Sequence, residues 1–155
     1  MERLTGLRVL VVEDGDEYYD SLTRFVPGPV YLRADGAATA LTALRDASMG
    51  LVYLDMRFDR IPRAKLIGDH ATAARAHNGD PKRGWRYLQN HQGLYILNAL
   101  SEAGFGGLPI VLSYDFQREP ARWRALSARY PRLRWLTDTA TPDQIRRTML
   151  GAIDS

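Results

Sequence analysis

Three acids and one hydroxyl stand where short apolar runs stop. Arg8 to Val12, mostly β-branched and apolar, runs straight into Glu13 and Asp14. Leu51 to Leu54 ends on Asp55, and Pro109 to Leu112 ends on Ser113. In open parallel α/β sheets, ligands bind outside the carboxyl ends of the strands. Adjacent carboxylates with a third nearby make a hard oxygen set suited to Mg²⁺. Such an ion would offset their mutual repulsion and leave Asp55 able to attack phosphorus. The Ser113 hydroxyl would then donate to the phosphoryl oxygens.

The elements that must position these groups alternate along the chain. The strand at 8–12 is followed by helical spacing of Tyr18, Leu22, Phe25 and Val26, which Pro27-Gly28-Pro29 ends. Val30 to Leu32 is a second strand, followed by an alanine-rich helix with Leu41 and Leu44 inward. After the third strand come a long segment and a helix around Leu94 to Leu100, closed by Gly104 and Gly106-Gly107. The fourth strand leads to a helix over Glu119 to Tyr130, and Leu133 to Thr137 is a fifth strand. Thr141-Pro142-Asp143 reads as an N-cap with proline at the first helical position, opening a last helix. This alternation predicts a parallel sheet with helices on both faces and right-handed crossovers.

A length of 155 residues, 45% hydrophobic and 25% charged, predicts one soluble globular domain over 1–155. The chain has no cysteine, which excludes disulfides and thiolate metal sites. Residues Met1 to Thr5 carry no apolar run of a secretory signal, and the longest apolar runs are strand-sized. The expected location is the cytoplasm, with no membrane contact. A net charge of +3 does not by itself call for nucleic acid.

Taken in order, Glu13-Asp14 after the first strand, Asp55 closing the third and Ser113 closing the fourth resemble the response-regulator receiver domain of two-component signalling. Gln92-Gly93 is similar to that family's glycine at the start of its third helix, and Trp135 falls where receivers place a switch aromatic. The resemblance implies a flavodoxin-like doubly wound sheet of five parallel strands in the order 2-1-3-4-5. It implies Asp55 as phosphoacceptor, Mg²⁺ held by Glu13, Asp14 and Asp55, and Ser113 and Trp135 as the switch pair. The implied partners are a histidine kinase or phosphotransfer protein and a downstream protein. A stand-alone domain is expected, with output by protein contact through the face made by the fourth helix, fifth strand and fifth helix of the family's numbering. The family's role is that of a phosphoryl acceptor rather than an enzyme.

Two positions depart from the family's pattern. Asp138 stands three residues past Trp135, where receivers carry a lysine, and bulky Tyr114 follows Ser113 where a small residue is usual. The 56–91 segment is inserted and basic, with eight Arg and Lys against three Asp, a net +5. Arg57, two residues past Asp55, or another arginine of the segment is the expected substitute for the missing cation. Within 62–77 an alanine-rich basic stretch predicts a helix, which Asn78-Gly79-Asp80-Pro81 would end.

Other readings remain. The same fold can serve as a phosphorylation-independent module that binds a protein or nucleic acid through 56–91. The acids can be ordinary strand-end residues, Trp135 a packing residue, and Tyr18, Tyr19 and Tyr53 core or rim. His70, His77 and His91 match no metal-ligand spacing. Gly104-Phe105-Gly106-Gly107 precedes a strand and lacks a P-loop lysine. A phosphohydrolase with an aspartate nucleophile would want a second acid where Arg57 stands.

Overall fold

The computed structural model describes residues 2–155. Its strands are β1 (Arg8–Val12), β2 (Val30–Ala34), β3 (Leu51–Asp55), β4 (Ile110–Ser113) and β5 (Leu133–Leu136). They form one parallel sheet in the order β2-β1-β3-β4-β5, the flavodoxin-like arrangement expected. The helices are α1 (Glu17–Phe25), α2 (Ala37–Asp46), α3 (His70–Arg75), α4 (Pro81–Asn90), α5 (Gln92–Glu102), α6 (Pro120–Arg129) and α7 (Pro142–Ile153).

β1, β3 and β4 read as unbroken apolar runs because both faces of the sheet are covered. Val9, Val11, Leu51, Tyr53 and Val111 pack on one side with Leu22 of α1 and with Met149 and Ala152 of α7. Leu10, Val12, Val52, Leu54, Ile110 and Leu112 pack on the other with α2, α5 and the inserted segment. Each fully buried side chain of this size contributes about 1.5–3 kcal/mol.

The inserted segment is folded onto the second of these faces. The expected helix over 62–77 is broken. A single 3-10 turn covers Arg63–Lys65, and Gly68, at φ 111°, sets α3 off from it. Only glycine adopts that backbone readily, and a Cβ there would also meet the ring of Tyr95 at 2.8 Å. Asp69 caps α3 through the Thr72 amide at 3.2 Å, and Asp80 caps α4 through the Lys82 amide at 2.9 Å, with Pro81 in the first turn. Asn78 and Gly79 turn the chain between them with positive φ. α3 and α4 meet where Gly84 leaves room for the Ala74 backbone, 2.9 Å from where a Cβ would stand.

Gln92 locks this hairpin to α5. Its buried amide accepts from the Ile67 N–H at 2.8 Å and donates to the Ile67 and Leu88 carbonyls at 3.0 and 3.2 Å. Phe58, fully buried, anchors the start of the insertion, and its N–H donates to the Gln89 carbonyl at 2.8 Å. Among the described residues no helix is long and apolar enough to cross a membrane.

Candidate functional site

Glu13, Asp14, Asp55 and Ser113 come to one edge of the sheet because parallel strands end together. Asp55 and Ser113 are register partners at the ends of β3 and β4. Behind Asp55 the N-terminus of α5 approaches so closely that only glycine fits. A Cβ on Gly93 would stand 2.5 Å from the Asp55 carbonyl oxygen, and the Gly93 N–H donates to the Met56 carbonyl at 2.8 Å.

Glu13 is buried, and both its oxygens are engaged. They accept from the Tyr18 and Tyr19 amides at 3.0 and 2.8 Å, so Glu13 caps α1 from the preceding strand in place of Asp16, whose side chain caps nothing. Burial pushes its carboxyl above the ordinary value, and the two amides pull against that.

Asp14, whose side chain is 2% exposed, holds the loop after β3. It accepts from the Asp59 and Arg60 amides at 2.9 and 3.0 Å and from the Arg60 guanidinium at 3.3 Å. The same guanidinium pairs with Glu17 at 2.7 and 2.9 Å, and this hydrogen bonding holds the Glu17 carboxyl down at about 2.

Asp55 is the most perturbed of the acids. Burial pushes its carboxyl up to about 7, the nearby Asp14 and Glu13 add to the rise, and the Met56 amide at 2.9 Å opposes it. Asp55 opens onto a cavity of about 480 Å³ that it shares with Ser113, Tyr114, Arg57 and Asp138, and onto a second of about 400 Å³ shared with Glu13, Glu17 and Arg60.

The Ser113 hydroxyl is not free. It shares a 2.7 Å hydrogen bond with the Tyr18 hydroxyl, whose own proton is held by burial up to about 12. The Tyr18 ring leans on Tyr53, with centroids 5.6 Å apart. Arg57 lines the Asp55 cavity, but its guanidinium pairs with Asp59 at 3.0 Å and is 68% exposed. Tyr114 forms a wall of the cavity, held back by its hydroxyl donating to the Glu119 carboxylate. Asp138 is exposed and borders both cavities, an anion where the family's lysine would stand.

Trp135 lies apart from this pocket. It is half-buried on β5, edge-on to Phe116 at 5.9 Å, and lines a separate cavity of about 550 Å³ between Trp123 of α6 and Gln144, Arg147 and Thr148 of α7.

The metal set expected of Glu13, Asp14 and Asp55 is not assembled. No three His, Cys, Asp or Glu side chains converge to hold an ion among the described residues. Glu13 is turned to the α1 amides and Asp14 to the loop and to Arg60, so the three carboxylates as arranged do not fit a shared divalent ion. The histidines do structural work. His70 stacks on Trp85 at 4.0 Å, while His77 and His91 bond the carbonyls of Ala73 and Tyr87 at 2.8 and 3.0 Å.

Two site residues escape a reading of the chain. Tyr18 shows there only as part of a helical stripe, and Arg60 is one of eight cations in the insertion.

No protein-family model matches the chain, and no curated protein is similar to it in sequence. Solved structures are similar to it in fold. A sensor protein from Polaromonas sp. JS666 matches with TM-score 0.65 at 16% identity, over 96% of each chain. The receiver domain of the Francisella response regulator 1452 matches with TM-score 0.62 at 12% identity, over 96% of this chain and 98% of its own. The Vibrio cholerae chemotaxis protein CheY4 matches with TM-score 0.59 at 13% identity, over 94% of this chain and 98% of its own. With the strand order and the acids at the strand ends, these matches show that the chain has the fold of a response-regulator receiver domain.

Proposed function

We propose that the chain is a receiver-type signalling module, working in the cytoplasm, in which Asp55 accepts a phosphoryl group and the response is passed on by protein contact. The observation that carries this reading is the register pairing of Asp55 with Ser113 at the mouth of one cavity. The fold shared with a response-regulator receiver and a chemotaxis protein supports it.

The donor is a phosphohistidine on a kinase or phosphotransfer protein. An Asp55 oxygen attacks phosphorus, the P–O bond forms as the P–N bond breaks, and the imidazole leaves with the electron pair and takes up a proton. Only the ionised Asp55 carboxylate is nucleophilic, so its raised value makes capture depend on pH near neutrality. The Ser113 hydroxyl, once it turns from Tyr18, donates to a phosphoryl oxygen. Arg57 is the cation best placed in the same cavity to pair with the others, because an exposed ion pair such as Arg57–Asp59 costs at most about 1 kcal/mol to open. Loss of the Tyr18–Ser113 bond would be felt by α1, and Trp135 would carry the change to the face of α6, β5 and α7. The chain would act as acceptor and switch, without turnover of a substrate.

The test is an amide NMR titration with beryllofluoride, an acyl-phosphate mimic that needs no donor, with and without Mg²⁺. Shifts at Asp55, Ser113 and Tyr18 that vanish in Asp55→Asn are expected. Silence under both conditions would sink the acceptor reading and leave a phosphorylation-independent binding module.

A further inference from the structure

A receiver-type site gathers acids at the ends of two strands, and that charge has to be balanced. Here Glu13, Asp14, Glu17 and Asp55 stand together around one edge of the sheet. Uncompensated carboxylates at close quarters repel by several kcal/mol at the dielectric of a partly buried site, on the order of 4 kcal/mol at 4 Å. In this chain the balancing charge is already present as a side chain.

We propose that Arg60 is a tethered cation that takes the place of the divalent ion at this site, so that the charge of Asp14 and Glu17 is offset by the chain itself and the site takes up no Mg²⁺. The inference rests on the receiver-type reading of the site, but not on Asp55 being phosphorylated.

Four observations carry it. First, the guanidinium meets both Asp14 and Glu17, with contacts of 3.3, 2.9 and 2.7 Å, the last two forming a fork on one carboxylate. Second, the backbone adds to the clasp. The amides of Asp59 and Arg60 fill the other oxygen of Asp14, so both oxygens of the family's metal-binding acid have protein partners. Third, Gly15 lies directly against the clasp. A Cβ there would stand 2.6 Å from the Arg60 Nη2 and 2.4 Å from the Glu17 carboxylate, so a side chain at residue 15 would make both side-chain ends shift. Fourth, Arg60 and Asp55 border the same cavity.

An ion would have to undo all of this. Mg²⁺ demands near-octahedral oxygen ligation and gives up its water reluctantly. Glu13 has both its oxygens held toward the α1 amides, so it would have to turn or share them to reach an ion. Asp14 would have to drop a guanidinium and two amides. Arginine is never deprotonated in this range, so the tethered charge is permanent and geometrically matched to carboxylates. The clasp also joins the first turn of α1 to the loop after β3, which a free ion would do only when bound.

The experiment is an amide NMR titration of the full chain with Mg²⁺ alone, to millimolar concentration, without beryllofluoride. Wild type, Arg60→Ala and Arg60→Gln are compared. Arg60→Gln keeps the first three side-chain carbons and a polar end without the charge, so it guards against a folding defect in the alanine variant, and the dispersion of each spectrum reports the fold. Expected is no site-specific shift in wild type. Saturable shifts at Asp14 and Asp55 are expected in at least the glutamine variant, and lost when Asp14→Asn is added to it. Wild-type shifts at Asp14 and Asp55 that saturate with Mg²⁺ would overturn the inference. So would silence in both folded variants, because the arginine would then not be what stands in the ion's place. Neither outcome depends on beryllofluoride capture, so failure of the acceptor reading and failure of this inference are told apart.

Discussion

The Tyr18 hydroxyl lies 2.7 Å from Ser113 Oγ, joining the first turn of α1 to the end of β4 across 95 residues of sequence. This bond engages the hydroxyl that a phosphoryl group on Asp55 would need, and either oxygen can be its donor. Where Ser113 is the donor, capture at Asp55 turns it away from Tyr18, and α1 is the element that registers the loss.

Tyr18→Phe should release Ser113 in advance. One neutral hydrogen bond is worth about 1 kcal/mol, so beryllofluoride should bind about five-fold more tightly, at a similar cost in stability. Titration of both proteins followed by amide shifts measures the first, and urea unfolding the second. Unchanged affinity would mean that Tyr18 is not competing for the Ser113 proton.

Asp55 makes the site sensitive to pH. Its carboxyl sits at about 7 in the fold against an ordinary 3.8, chiefly because it is buried. A raised value of this kind contributes stability that is fully present below the unfolded value and is lost as pH rises through the folded one. The folded chain should thus lose up to about 4 kcal/mol between about pH 4 and pH 8 from this group. Asp55→Asn should raise Tm near pH 8 and leave it unchanged near pH 4. The same group acts in the opposite sense on capture. Acceptance of a phosphoryl group from a small-molecule donor should rise about ten-fold from roughly pH 6 to pH 8, as the carboxylate forms.

Arg57 lines the Asp55 cavity with only an exposed partner, Asp59, to hold it elsewhere. Arg57→Ala should weaken beryllofluoride binding about ten-fold, the range of one charge-assisted contact, with no change in Tm beyond about 1 °C. Equal affinity in the two proteins would remove Arg57 from the site.

Gly93→Ala should damage the site through the backbone. A Cβ at that position would lie 2.5 Å from the Asp55 carbonyl and 2.8 Å from the Met56 Cα, and backbone cannot swing aside as a side chain can. A loss of about 2–3 kcal/mol is expected, read by denaturant unfolding, together with displaced amide shifts at Asp55 and Met56.

Gly93 is also a place where the sequence could be read only by resemblance. Its role as a gap behind Asp55 requires the distance between α5 and β3. By contrast, β1, β3 and β4 were plain in the chain itself, because strands covered on both faces are unbroken runs of apolar residues and stop at the first polar one. That is why Glu13, Asp14, Asp55 and Ser113 stood out. The insertion was less legible. Alanine content favours one helix over 62–77, but Gly68 takes a positive φ and packs against Tyr95 and Leu88, so the helix divides. The second helix, α4, rests on Asp80, Pro81 and a Gly84 seat on Ala74, the last a tertiary matter.

The sequence by itself determined the order of strands and helices, the acids and hydroxyl at the strand ends, and the absence of the family's lysine at Asp138. These follow from local periodicity and from residue type, which need no partner. Only the tertiary structure decided how those groups are spent. Glu13 went to the α1 amides, Asp14 and Glu17 to Arg60, and Ser113 to Tyr18. Each partner choice is made between groups up to 95 residues apart. It is settled by which donor the packed backbone brings within about 3 Å, and residue type alone leaves that choice open.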